Sequence, residues 1–184
     1  MKNIQRNSSD ETEREILWIG VSSCLRGERV RYDGNHKHLP LLSRFFGDRV
    51  QWVPVCPEVE AGMGVPREPV YLVRGNAHLL LLGRETKTDW TGPLLELAHK
   101  RILEFKFLGI HGFILKRSSP SCGPRGVPVG SGTREVEQEH TSSGLFAYVL
   151  MKAFPDLPVV DEETVSTESG AAAFLEQARL YQAK

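Results

Sequence analysis

Cysteine is scarce in this chain: its 184 residues contain only three, and no two of them form a Cys-x-x-Cys pair. The missing pair excludes the ligand spacing of zinc ribbons and ferredoxin-type clusters. Because the count is odd and no secretory signal is recognisable, we expect no disulfide. Neither a P-loop nor a Gly-x-Gly-x-x-Gly motif is present, and no apolar run approaches the roughly 20 residues of a membrane span. These absences predict a cytoplasmic protein without a nucleotide-binding loop.

Charge of one sign is not in excess either. The 23 basic and 23 acidic residues balance, so no net field gathers polyanions, which argues against an autonomous nucleic-acid binder. Hydrophobic content of 40% and charged content of 25% are typical of a globular protein. The length fits one domain. Residues 1–14 are predicted to form a flexible N-terminal tail, and residues 15–184 a single domain.

Strand-like and helix-like patterns alternate along this domain. Strands are predicted at residues 16–21, 50–55, 112–116 and 157–160, helices at residues 39–46, 91–108, 142–154 and 169–182, and a small β-hairpin at residues 70–82. The polar segment 124–139 is predicted to be irregular. Such alternation indicates an α/β fold, here a single-domain, mainly parallel sheet flanked by helices, to which the hairpin is added.

Each cysteine follows a strand-like apolar run and lies in a turn rich in Ser, Pro or Gly. Cys24 ends ILWIGVSSC, Cys56 follows VQWVPV, and Cys122 ends FILKRSSPSC. Ligand sites assemble at the carboxyl ends of parallel strands, so the three thiols are predicted to converge on one metal site with an open coordination position. The structural alternative is three buried core cysteines, but the neighbouring Pro57 and Gly123 are unusual beside core cysteines.

Two kinds of metal site suit three thiolates. An iron–sulfur cluster held by three cysteines, unlike one held by four, exposes one iron as a Lewis acid. That iron prefers sulfur, so a thiocarbonyl substrate fits it better than an oxygen substrate does. Zinc with three thiolates and a water is the competing chemistry. The residues themselves leave both open.

Candidate substrate-binding residues follow the first cysteine closely. They are Arg31, Tyr32, Asp33 and Gly34. The glycine lets the backbone approach a ligand, and the polar side chains supply contacts to it. An ordinary surface loop has the same composition and is the alternative interpretation.

A carboxylate follows the second cysteine. Glu58 lies two residues after Cys56, where it can orient or deprotonate a water molecule beside a bound metal. Glu60 has the weaker claim to this role. A solvated surface glutamate is the commoner fate of this residue type and is the alternative.

The segment around the third cysteine combines a cation with hydroxyl groups. Lys116 can balance thiolate or sulfide charge, and Ser119 and Ser121 can bind water or a substrate carbonyl. A serine-rich turn would explain the serines but not the cysteine. The Gly- and Pro-rich segment 62–69 is either the wall of a pocket or a simple connection.

Together the three cysteine blocks resemble a known family. VSSCLRGERVRYDGNHK, VPVCPEVEAGMGVPREP and ILKRSSPSCG are similar, in the same order, to blocks of the thiouracil desulfidases, a family long catalogued as a domain of unknown function. The later GLFAYVLMKAFPDLPVVDEE resembles the family's closing helix and strand. The resemblance covers roughly residues 16–165.

The resemblance implies a cofactor and a reaction. The family's cysteines, which hold a [4Fe-4S] cluster, match Cys24, Cys56 and Cys122. The fourth iron would bind the sulfur of thiouracil and water would attack the carbon bearing it, so that uracil and hydrosulfide leave without redox chemistry. The family's catalytic glutamate matches Glu58, and its catalytic serine matches Ser119, with Ser121 as second choice.

The resemblance also bears on the partners. Larger relatives that remove sulfur from 4-thiouridine in transfer RNA carry an additional carboxy-terminal domain, for which this chain has no room. We therefore expect a small thiobase, with the 4-thio isomer favoured by analogy, rather than nucleic acid, and a sulfide acceptor as a further partner. The alternatives are a transfer RNA 4-thiouridine desulfidase, a zinc hydrolase with three cysteine ligands and a non-catalytic iron–sulfur or sulfur carrier.

Overall fold

Strands and helices alternate along most of the chain, as the apolar patterns predict. The computed structural model describes residues 16–76, 78–131 and 140–184. In chain order its elements are β1 (Leu17–Ser22), α1 (Leu41–Phe46), β2 (Val50–Val55), α2 (Pro57–Glu60), β3 (Val70–Arg74), β4 (Leu79–Gly83), α3 (Thr91–Leu108), β5 (Gly112–Leu115), β6 (Val127–Ser131), β7 (Thr141–Ser142), α4 (Leu145–Ala153), β8 (Val159–Asp161) and α5 (Glu168–Gln182). The tail predicted at residues 1–14 lies outside the described residues.

Four parallel strands form the sheet that carries the cysteines. Their spatial order is β2-β1-β5-β8, and every pairing in this sheet is parallel. Because helices cover both faces, the central strands are apolar on both sides, and β5 is buried along its whole length. The prediction of an α/β fold with a mainly parallel sheet flanked by helices is confirmed.

Two apolar cores lie on the two faces of this sheet. On one face, alternate residues of β1 pack with α1 and α5 around Phe46 and Phe174. On the other face, α3 and α4 pack on the sheet through a cluster that contains Phe105 of α3, Phe113 of β5 and Phe146 of α4. Gly20 in β1 makes room for this second core, because a Cβ atom there would lie 2.1 Å from the ring of Phe113. The cores fix the register of the strands and therefore the positions of their carboxyl ends.

A second sheet extends the predicted hairpin. Its strand order is β4-β3-β6-β7, with β3 and β4 antiparallel, as predicted, and β3 and β6 parallel. The prediction that residues 124–139 are irregular is wrong for β6, because Val127 and Val129 alternate into the core. Pro128 and Gly130 between them hide the strand signal. Residues 132–139 of that prediction lie outside the described residues.

Helix boundaries differ from the sequence prediction mainly at α4. The range of α3 is confirmed, and Gly109 ends it in the left-handed conformation. The predicted helix at residues 142–154 begins only at Leu145, with Gly144 and not a serine as its N-cap. Ser142 belongs to β7 instead. None of the helices in the described ranges is long and apolar enough to cross a membrane.

Candidate active site

The carboxyl ends of three adjacent strands bring the cysteines together. Cys24 lies in the short 3-10 turn Ser23–Arg26 directly after β1, and Cys56 follows β2 as the residue before α2. Cys122 lies in the loop after β5. Since β1 is paired with both β2 and β5 in parallel, the three ends share one edge of the sheet.

All three cysteines line one cavity of about 300 Å³. The side chains around it that can take part in chemistry also include Arg31, Tyr32, Lys37, Glu58, Arg67, Lys116, Arg117, Ser118 and Ser119. A cavity of this size is within the range of small-molecule sites. The structure thus places most of the residues that the sequence singles out around one space.

The surroundings of the thiols oppose ionisation. Burial and the neighbouring Cys56 raise the pKa of Cys24 to about 11, although Lys116 and Arg31 act in the opposite direction. Burial also raises the pKa of Cys56. Burial, reinforced by Cys56, Glu58 and Cys24, raises the pKa of Cys122 well above its ordinary value. Cysteines bind a metal as thiolates, so binding a cationic group here releases protons. The cation also offsets the repulsion between the neighbouring thiolates and Glu58.

The three thiols suit a cluster better than a single ion. All are free cysteines, and they surround a common cavity. Yet no three Cys, His, Asp or Glu side chains among the described residues form a group that could hold one metal ion. Thiols spread around a cavity fit a group that presents several metal atoms to them, and thiolate is the ligand that iron–sulfur clusters take. The donor set therefore fits a [4Fe-4S] cluster.

Glu58 faces the cavity from the first turn of α2. Its side chain is 13% exposed and forms an ion pair with Arg67, with 2.5 Å between Oε2 and Nη2. Glu60, two residues on, instead accepts a hydrogen bond from the main-chain N–H of Cys56 and pairs with Arg101. Of the two glutamates, Glu58 is the one beside the cavity, and Glu60 supports the main chain of a cysteine.

The two candidate serines have different surroundings. Ser119 lines the cavity, and its Oγ accepts hydrogen bonds from the N–H groups of Ser121 and Cys122 at 3.3 and 3.1 Å. Its hydroxyl hydrogen stays available to donate. Ser121 is fully buried, does not line the cavity, and its Oγ has no hydrogen-bond partner among the described residues. Of these two serines, Ser119 is the one that can reach a molecule in the cavity.

Lys116 is held beside the cavity by a carboxylate that the sequence analysis missed. Its Nζ pairs with Glu162 and also donates to the carbonyl of Arg117 at 2.9 Å. Its main-chain N–H donates to the Oγ of Ser22 at 2.9 Å. Glu162 follows β8 directly, so the rule that sites lie at strand ends could have found it.

The segment after Cys24 divides into cavity wall and turn. Arg31 and Tyr32 line the cavity, with the Arg31 guanidinium 5.3 Å from the centre of the Tyr32 ring. Asp33 and Gly34 do not line it. Asp33 pairs with Arg31 at 3.4 Å and caps the N–H of Asn35, and Gly34 closes the turn with a φ of +71°. These two residues shape the turn and do not border the cavity.

Arg67 is the closest partner of Glu58, and no motif in the sequence indicates it. It lies in the Gly- and Pro-rich segment 62–69, which does wall the cavity at this residue. No regular period marks this loop, so no pattern distinguishes Arg67 from a surface arginine. The only signal available was the location of the loop between a cysteine motif and a strand.

Fold and cavity together define an α/β protein with a cavity lined by three cysteines at strand ends. The model of the 2-thiouracil desulfurase family matches residues 19–162. The chain therefore belongs to the 2-thiouracil desulfurase family, and the resemblance seen in the sequence is confirmed.

Two individual proteins illustrate the relationship. The uncharacterized protein YbbK of Bacillus subtilis is 32% identical over 140 residues, which are 73% of this chain and 90% of YbbK. A solved structure of the [4Fe-4S]-dependent thiouracil desulfidase TudS superposes with a TM-score of 0.57 at 26% identity. That superposition covers 85% of this chain and 98% of TudS.

Proposed function

We propose that this protein removes sulfur from thiouracil, giving uracil and hydrosulfide by non-redox hydrolysis of the carbon–sulfur bond. The observation that carries the proposal is the convergence of three free cysteines, Glu58 and Ser119 on a single cavity. Membership of the 2-thiouracil desulfurase family and the likeness to a [4Fe-4S]-dependent thiouracil desulfidase support it.

Cys24, Cys56 and Cys122 would hold a [4Fe-4S] cluster. When bound by three thiolates, the cluster supplies an iron with an open coordination position, a soft Lewis acid that favours sulfur. The cysteines contribute by ionising on binding, against the burial that raises the pKa of each thiol. Lys116 and Arg31, which lower the pKa of Cys24, balance the added negative charge.

The remaining residues act on the base and on water. Glu58 accepts a proton from the attacking water, because it is the carboxylate that borders the cavity. Ser119 donates its hydroxyl hydrogen to a polar atom of the base. Arg31 and Tyr32 contact the ring from the wall after β1, and Asp33 and Gly34 keep that wall in shape. Ser121 has no contact with the cavity and takes no part.

The proposed substrate is a free thiobase, and the proposed compartment is the cytoplasm. The balanced charge of the chain offers no general attraction for nucleic acid. The family description names the 2-thio isomer, whereas the analogy with 4-thiouridine enzymes favours the 4-thio isomer, so both belong in the assay. Reduced thiols persist in the cytosol, which also suits a cluster with an exposed iron. A sulfide acceptor remains the proposed second partner.

Metal analysis with a parallel activity assay tests this function. After anaerobic reconstitution we expect about four iron atoms per chain, together with equal amounts of uracil and sulfide formed from 2-thiouracil or 4-thiouracil. Cys24→Ser, Cys56→Ser and Cys122→Ser should each lose both iron and activity. Surface variant Arg179→Met on α5, which breaks only an exposed ion pair, is the control that should keep both.

Three results would contradict the proposal. One equivalent of zinc with negligible iron would favour a zinc hydrolase. A fully assembled cluster that turns over neither thiobase would favour a carrier of sulfur or iron–sulfur groups. Retention of iron in all three serine variants would place the cofactor elsewhere.

A further inference from the structure

Arg67 is the buried cation beside the proposed proton acceptor. Its side chain is only 6% exposed, although arginine is rarely buried unless it is paired. It borders the same cavity as Glu58 and the three cysteines. A buried charge of this kind needs several fixed partners, and those partners show what it holds in place.

The guanidinium of Arg67 makes all its contacts in one corner of the cavity. Nε and Nη2 both donate to Oε2 of Glu58, at 3.0 and 2.5 Å. Nη1 donates to the carbonyls of Val30 and Gly64, at 3.0 and 2.9 Å. The Val30 carbonyl also accepts a hydrogen bond from the thiol of Cys56, with 3.7 Å between the oxygen and Sγ. Arg67 therefore ties the carboxylate of Glu58 to the two loops that wall the cavity.

The two nitrogens of Arg67 that bind Glu58 both donate to the same carboxylate oxygen. Oε1 of Glu58 accepts no hydrogen bond from the residues that the structure describes. It is also absent from the buried polar atoms that lack a partner. The carboxylate of this cavity-lining residue thus has one oxygen committed to Arg67 and one that accepts no hydrogen bond from the described residues. That arrangement fixes the direction in which Glu58 can accept a proton.

We propose that Arg67 is a positioning residue, which sets the orientation of the Glu58 carboxylate and thereby the rate of sulfur removal. The inference rests on the proposed function, since it assigns the residue through which Glu58 is aligned. A guanidinium is required because its planar fork offers two donors to one oxygen and a third nitrogen to the loop carbonyls, which an ammonium cannot reproduce.

Steady-state kinetics of reconstituted Arg67→Met and Arg67→Lys test the role. We expect kcat of Arg67→Met to fall by about 10²-fold with KM nearly unchanged. General base catalysis accelerates a reaction by about 10²–10⁴-fold, and a misplaced base loses most of that acceleration. Arg67→Lys should fall between this variant and the wild type. Equilibrium binding of uracil and iron content should match the wild type in both variants, and Arg179→Met serves again as the arginine control.

Two further measurements separate positioning from a structural role. In the double variant Arg67→Met/Glu58→Gln, kcat should equal that of Glu58→Gln alone, since an effect that acts through Glu58 cannot be added to its loss. In Arg67→Ala, methylguanidinium at a non-denaturing concentration should restore part of the rate, whereas methylammonium at the same concentration should not.

The outcomes are distinguishable from failure of the proposed function. A wild-type protein without desulfidase activity would contradict that function itself. An active wild type with unchanged kcat in Arg67→Met would overturn the inference, as would losses that multiply in the double variant. Loss of iron or of cooperative unfolding in Arg67→Met and Arg67→Lys alike would make the residue a structural one and would also overturn it.

Discussion

Ser119 and Ser121 lie two residues apart, yet their hydroxyl groups have opposite surroundings. The Ser119 hydroxyl borders the cavity and accepts hydrogen bonds from two main-chain N–H groups of its own loop. The Ser121 hydroxyl is buried without a partner among the described residues. An unpaired buried hydroxyl costs free energy and adds nothing to binding. Two positions of one loop therefore differ, because the Ser119 hydroxyl borders the cavity and the Ser121 hydroxyl does not.

This contrast gives a prediction with a built-in control. Ser119→Ala should lower kcat by about 10²-fold, because it removes the hydrogen-bond donor facing the base. Ser121→Ala should retain activity and raise the free energy of unfolding by up to about 1 kcal/mol, because it removes an unsatisfied polar group. Steady-state kinetics and urea unfolding of both variants provide the measurement. The reverse order of the two activities would make Ser121 the functional serine.

The amino-terminal end of α4 packs against the loop that carries Cys122. The N–H groups of Leu145 and Phe146 donate to the carbonyls of Pro120 and Ser121, at 2.9 and 3.0 Å. The N–H of Gly144 donates to the carbonyl of Gly123 at 2.7 Å. The first turn of the helix therefore uses its free N–H groups to hold a cysteine loop.

Gly144 is the residue that allows this close approach. Its backbone angles suit any residue, but a Cβ atom there would lie 2.6 Å from the carbonyl of Ser121 and 2.8 Å from that of Ser119. Gly144→Ala should therefore displace the loop, lower the free energy of unfolding by about 1–3 kcal/mol and reduce iron uptake. Denaturant unfolding of the metal-free protein and iron content after reconstitution are the measurements.

The matched control for this change is Gly92→Ala in the first turn of α3. A Cβ atom there meets nothing within 4 Å, and alanine favours the helix, so this variant should be neutral or stabilised. Equal unfolding free energies and equal iron contents for the two variants would show that the contact of α4 with the cysteine loop does not position Cys122.

Strands and helices with long apolar patterns could be predicted from the sequence, whereas interrupted patterns could not. The strands of the first sheet and the helix α3 follow from continuous apolar runs and a helical period, and both are found as predicted. The strand β6 was missed because Pro128 and Gly130 interrupt an alternation of only two buried valines. The start of α4 was misplaced because its N–H groups are satisfied by a loop distant in sequence rather than by a side-chain cap.

The rule that sites form at the carboxyl ends of parallel strands accounts for the part of the site that the sequence could predict. Cysteines that follow adjacent parallel strands meet at one edge of a sheet, so the convergence of Cys24, Cys56 and Cys122 follows from strand order alone. Glu162 lies directly after β8 and was within reach of the same rule, whereas the pairing of Arg67 with Glu58 was not, because it depends on the path of the loop 62–69. Charged pairs that close a site are therefore harder to predict than the residues at strand ends.

The balance of charge over the whole molecule leads to a prediction about its substrate. Recognition of a polyanion depends on phosphate contacts, which weaken steeply as salt rises because the release of counterions then contributes less free energy. With 23 basic and 23 acidic residues and a cavity of about 300 Å³, we expect kcat/KM for free thiouracil to change little between low and moderate salt. Thiolated transfer RNA should compete poorly in the same assay. A transfer RNA turned over far better than the free base, with a steep dependence on salt, would instead identify a nucleic-acid substrate.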